Sequence, residues 1–130
     1  MDFYLKENGV RTSFEYGQLN ISGDENEGFR PYQLMVASIA GCSIGVFRKI
    51  LNKQRVKIED LKVTADIDRN PDKANRIEKI RLHYVVKGYH LNPDKLLKNL
   101  DVSRSNCSMV QSVQDSIEVE ETLECIELSK

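Results

Sequence analysis

The residues of this 130-residue chain most able to do chemistry are its three cysteines, Cys42, Cys107 and Cys125. No two of them form a C–x–x–C pair, so neither the local dithiol motif nor a zinc-ligand spacing is present. His83 and His90 make no ligand pattern with each other or with the cysteines, and no metal or other cofactor is expected. Cys–His nucleophilic catalysis has no local signature either. Thiol redox chemistry remains, beside the plainer reading of each cysteine as a core residue. An odd number of cysteines argues against a structural disulfide framework.

Redox chemistry requires a thiolate, because that is the nucleophilic form of sulfur. Cys42 lies in the middle of an apolar stretch, where burial opposes ionisation and a helix dipole gives no help. A cation must then come from elsewhere in the fold, and arginine suits the task because it stays charged when buried. Arg11 and Arg30 are the candidates. Cys107, at an expected helix N-terminus, is better placed to be a thiolate or a leaving group. From residues alone, Cys42 stays open between core and catalyst.

The element that must position Cys42 is the run from Phe29 to Leu51. Between Leu34 and Leu51 its only charges are Arg48 and Lys49, and its apolar residues point all round a helical wheel. A helix apolar on every side is expected to be buried on every side. Gly41 and Gly45 flank the thiol, where another element is expected to approach the backbone closely. Pro31 fits the first helical position, since its missing N–H would have no partner there. The helix is expected to run from Pro31 to about Lys53, roughly 33 Å at 1.5 Å per residue. Its small and polar residues, and the lack of room for two domains around it, favour a core helix over a membrane span.

Composition sets the frame. With 40% hydrophobic and 30% charged residues, the chain is that of one ordinary globular domain over 1–130. A net charge of −1 gives no general attraction to nucleic acid or anionic membrane. The N-terminus lacks the basic and apolar regions of a signal peptide, so a cytoplasmic location is expected.

Along the chain, residues 2–22 read as a small β-meander with Asn8-Gly9 as a hairpin turn. After the helix, Leu61–Asp68 alternates as a half-buried strand and Ile77–Lys87 as its antiparallel partner. Asn92-Pro93 starts a helix that Ser103–Asn106 is expected to break. Asn106 is then expected to cap a short helix from Cys107 to about Asp115. The last strand, from Ile117, carries Glu121 on its apolar face, which predicts a bulge or an edge position. The order is βββ-α-ββ-αα-β, an α+β fold of antiparallel sheet and helix.

Two segments then carry a resemblance. Pro31-Tyr32-Gln33-Leu34 leads into Ala40-Gly41-Cys42-Ser43, and Asn106-Cys107-Ser108-Met109-Val110 precedes the last strand, with the 61–87 hairpin between them. Over nearly its whole length the chain resembles the OsmC/Ohr family, the osmotically inducible and organic hydroperoxide resistance proteins. It is most similar to the OsmC-like branch, in which serine follows the second cysteine. The resemblance implies an oxidoreductase of the oxidative stress response, a thiol-dependent peroxidase acting on organic hydroperoxides. Cys42 would be the peroxidatic cysteine and Cys107 the resolving one, joined as a disulfide. Arg11 would activate Cys42, and Tyr32 and Gln33 would contact substrate. A lipoyl-type or other external dithiol would serve as reductant, and the protein would be an intertwined homodimer. Family peroxidases hold the arginine with a glutamate just after the helix-initiating proline. Tyr32 and Gln33 stand there instead, which predicts a lower rate. A redox sensor, or a protein that binds an apolar small molecule, is the alternative.

Overall fold

The computed structural model of the chain describes residues 1–129. It divides into two compact units, Met1–Ala37 and Ser38–Lys130.

The first unit is built on an antiparallel sheet of β1 (Tyr4–Lys6), β2 (Gly9–Ser13) and β3 (Gln18–Ile21). The hairpin turn is one residue earlier than expected. Lys6 pairs with Gly9, so Glu7 and Asn8 make the bend. Gly9 has φ 127°, and a Cβ there would run into the Ile21 carbonyl oxygen. Only glycine satisfies both demands. Helix α1 (Pro31–Lys53) starts in this unit and ends in the second, with the bounds its sequence predicts.

The second unit contains β4 (Asp60–Asn70), β5 (Arg76–Gly88), α2 (Pro93–Asn106), α3 (Ser108–Val113) and β6 (Glu118–Glu127). β4 and β5 form the long antiparallel hairpin, in which Ile80, Leu82, Tyr84 and Val86 of β5 are fully buried. β6 corrects the expectation of purely antiparallel pairing. It lies parallel to β5, from Lys79↔Glu118 to Gly88↔Glu127. The two helices between β5 and β6 return the chain to the end of the sheet where β5 began, which is what a parallel neighbour requires. β6 is an edge strand, as Glu121 suggested, but its pairing runs through Glu121 without a bulge.

α1 also departs from expectation. Within one chain, only the stripe Val36, Ile39, Ser43, Phe47 and Leu51 is buried. Its spacing of three or four residues is one helical face. Phe47 meets Tyr84 edge-to-face at 5.3 Å between ring centroids, fixing that face on the sheet. Ala37, Gly41 and Gly45 are exposed, and a Cβ on either glycine would have nothing within 4 Å. The close approach expected at these glycines is not made within the chain. By length and composition α1 could cross a membrane. Its polar bonds to the sheet, described below, mark it as a helix packed on a sheet.

α1 ends in a Schellman motif. The Val56 amide donates to the Leu51 carbonyl at 2.9 Å and the Arg55 amide to the Asn52 carbonyl at 3.1 Å. Arg55 takes the left-handed position of this motif, φ 56°, where glycine is usual. His90, after β5, is left-handed too, at φ 56°. For residues with a Cβ this conformation costs about 1–2 kcal/mol.

Candidate functional site

α1 carries Cys42 half-buried, one residue before the buried Ser43. Cys107 is placed by a helix break. α2 starts as expected, with Asn92 accepting the Lys95 amide, but runs four residues past its expected end, to Asn106. The Asn106 side chain caps nothing and instead donates back to the Val102 carbonyl at 2.8 Å. Cys107 itself is the joint, at φ −85° and ψ 108°, closing α2 and opening α3. Its side chain is wholly buried.

The fold brings the two thiols together. Cys42 Sγ lies 3.7 Å from Ser108 Oγ, beside Cys107, whose side chain is among the groups acting on the Cys42 thiol. The Met109 backbone amide, the Cys107 thiol and the Ser108 hydroxyl and amide draw the Cys42 thiol below its ordinary range, against the opposing effect of burial. Burial first, and then the hydrogen bond with Cys42, push the Cys107 thiol up. The two shifts run opposite to the reading by residue type, which puts the thiolate on Cys107. Cys42 is thus the more acidic of the two thiols. Within the second unit, the groups that lower Cys42 come from residues 107–109. Backbone amides at a helix start are invisible to a reading by residue type.

Behind the thiols is a buried polar network. Ser43 Oγ is 2.5 Å from the Tyr84 hydroxyl and donates to Glu121 Oε2 at 2.9 Å. Ser103 Oγ donates to the Ser43 carbonyl at 3.1 Å, tying α2 to the same turn of α1. Glu121 Oε1 is buried with no partner among the described residues. Burial pushes both the Tyr84 hydroxyl and the Glu121 carboxyl upward. Glu121 had shown itself in the sequence as an acid on an apolar strand face. Its partners Ser43 and Tyr84 had given no signal.

The other predicted site residues lie in the first unit. Arg11, on β2, donates from Nε to Asn20 Oδ1 at 3.1 Å. Arg30 sits 5.2 Å over the Tyr32 ring and 3.8 Å from Glu25, with its Nε buried and unpartnered among the described residues. Tyr32 is half-buried and Gln33 exposed. In the second unit, His83 Nδ1 is 2.7 Å from Thr122 Oγ1 on the exposed face of the sheet. The His90 amide donates to Glu127. No group of His, Cys, Asp and Glu among the described residues could hold a metal ion. Cys125 is half-buried on β6, opposite Val86, and burial raises its thiol.

Solved structures share this architecture. A hypothetical protein from Aquifex aeolicus VF5 superposes with a TM-score of 0.87 at 22% identity, over 98% of this chain and 96% of its own. An OsmC-like protein from Mycoplasma pneumoniae gives 0.83 at 13% identity, over 96% and 94%. An organic hydroperoxide resistance protein from Legionella pneumophila gives 0.73 at 17% identity, over 95% and 93%. At these identities the likeness is one of fold. No curated protein sequence matches the chain. The sequence model of the OsmC-like proteins does, over residues 23–122, a span that takes in both Cys42 and Cys107. By that match and by its fold, the chain belongs to the OsmC/Ohr family of OsmC-like proteins.

Proposed function

We propose that the protein is a thiol-dependent peroxidase that reduces organic hydroperoxides. The observation that carries this reading is the contact of Cys42 with the start of α3, 3.7 Å from Ser108 and beside Cys107, where the Cys42 thiol is drawn down and the Cys107 thiol pushed up. A peroxidatic sulfur must be ionised before it reacts, so of two neighbouring thiols the more acidic is the one suited to react first.

The Cys42 thiolate attacks the distal oxygen of the hydroperoxide. An S–O bond forms as the O–O bond breaks, and the alkoxide takes a proton and leaves as the alcohol. Cys42 is now a sulfenic acid. The Cys107 sulfur attacks it, forming the S–S bond and breaking the S–O bond, and hydroxide leaves with the Cys107 proton as water. An external dithiol, lipoyl-linked or otherwise, restores both thiols by exchange. On this reading Arg11, Tyr32 and Gln33 keep the roles that the family resemblance implies, in activation and substrate contact.

The reading includes a homodimer. α1 leaves Met35 45% exposed together with Ala37, Gly41 and Gly45, and a second copy would cover this apolar face. An odd number of cysteines without a structural disulfide framework supports a reducing compartment, and the cytoplasm is proposed on that ground. The test is to add cumene hydroperoxide to the reduced protein and count free thiols. Two per chain should disappear, and Cys42→Ser should abolish the loss. Three thiols that all remain titratable would exclude the peroxidase. A redox sensor or apolar-ligand protein of the same fold is the second reading, favoured by Tyr32-Gln33 in place of an acid. It predicts slow oxidation without turnover on dihydrolipoamide.

A further inference from the structure

The second unit holds a half-open cleft of about 560 Å³ that the thiol chemistry does not use, between the residues following α1 and the loop joining β5 to α2. Its volume is in the range of small-molecule sites. Arg55, Lys57 and Lys95 line it, with Glu59 as its one carboxylate and Tyr89 as its aromatic surface. Among the described residues, no ion pair or hydrogen bond engages the side chains of these three cations.

Backbone conformation adds an independent observation. Arg55 and His90 are both left-handed, and both line this cleft. Arg55 fills the Schellman position where glycine would relieve the strain. Non-glycine residues kept in such conformations concentrate where their side chains have a task. The walls are firm as well. The two Glu127 carboxylate oxygens accept the His90 and Leu91 amides at 2.6 and 2.8 Å, and Gln54 and Asn99 exchange two hydrogen bonds at 2.9 and 2.7 Å. The negative end of α1 and the positive end of α2 both lie beside the cleft and oppose each other. The side-chain cations therefore decide its sign.

We propose that this cleft binds a phosphorylated small molecule bearing a flat ring. Arg55, Lys57 and Lys95 would hold the phosphate and Tyr89 would contact the ring. Guanidinium and ammonium donors with no carboxylate of their own suit a multiply charged phosphate, and arginine can grip it bidentately.

The test is calorimetric titration of the full chain with ADP at low ionic strength, with inorganic phosphate and benzoate as the partial ligands. ADP should bind more tightly than either, and added salt should weaken it. Lys57→Glu should lower ADP affinity by about tenfold or more. Arg55→Gly should separate two properties, raising the melting temperature by relieving the left-handed strain while lowering ADP affinity by a similar factor. No ADP binding at millimolar concentration would overturn the proposal. So would binding indifferent to both substitutions, or an Arg55→Gly chain that melts lower than the parent.

Discussion

Cys42 Sγ on α1 and Ser108 Oγ at the start of α3 lie 3.7 Å apart, although α2 and the whole β4–β5 hairpin separate them in sequence. This contact marks where the first turn of α3 meets the sulfur. There the Met109 amide does most to lower the Cys42 thiol, followed by the Cys107 thiol. An exposed cysteine ionises with a pKa of about 8.5.

Cys42 should therefore react with iodoacetamide at neutral pH well before Cys107 and Cys125. Because its folded pKa is depressed, its ionised form contributes stability above the unfolded thiol pKa, and that contribution is lost as pH falls through the folded value. Ser108→Ala removes one hydrogen bond and leaves the amides, so the Cys42 alkylation rate at neutral pH should fall only about threefold. Peptide mapping by mass spectrometry over a pH series measures both effects. Cys42 alkylating no faster than Cys125 would contradict the assignment.

Glu121 shifts in the opposite sense. Burial favours its neutral carboxyl, so its contribution to stability is complete below the unfolded pKa of about 4.3 and is lost as pH rises through the higher folded value. Glu121→Gln keeps a hydrogen-bonding group without the titration. Its urea midpoint should fall less than that of the parent between pH 4 and 7. A parallel fall in both proteins would show that Glu121 does not titrate in this window.

Ser43→Ala deletes the group that links Tyr84 to Glu121 and leaves both without their partner. A destabilisation of about 1–3 kcal/mol is expected in chemical denaturation. Phe47→Ala, in the same buried stripe, should cost more, about 3–5 kcal/mol, because it removes a ring packed against Tyr84 and leaves a cavity. The reverse order would mean that the polar network, not the apolar stripe, dominates the seating of α1.

Gly45→Arg tests the homodimer. Nothing within the chain lies within 4 Å of a Cβ at this position, so the single chain should keep its fold and circular dichroism spectrum. Sedimentation should then report half the mass of the parent. An unchanged mass would place the dimer contact away from this face, and a parent of monomer mass would remove the dimer altogether.

Cys107→Ser should leave the first oxidation intact and block the second. After one equivalent of hydroperoxide, Cys42 should be trapped by dimedone as a sulfenic acid adduct, while the parent protein should yield a disulfide and little adduct. No adduct in the variant would argue against a sulfenate on Cys42.

The sequence determined the elements themselves. Pro31, the uninterrupted apolar run behind it and the basic residues that follow define α1, and strict alternation defines β4 and β5. The Asn92-Pro93 pair starts α2. These signals are local, set by the helical or strand period and by which residues tolerate a given backbone angle. The cysteine motifs were legible for the same reason. Tertiary structure alone decided what depends on residues distant in the chain. The direction of β6 follows from where two helices set the chain down. Burial of only one face of α1 follows from the sheet covering one side, so the apolar pattern shows what needs covering but not what covers it. The ionisation of Cys42 was decided furthest from the sequence. Residue types pointed to an arginine but could not point to the Met109 amide, a group that every residue but proline possesses and that only folding can aim.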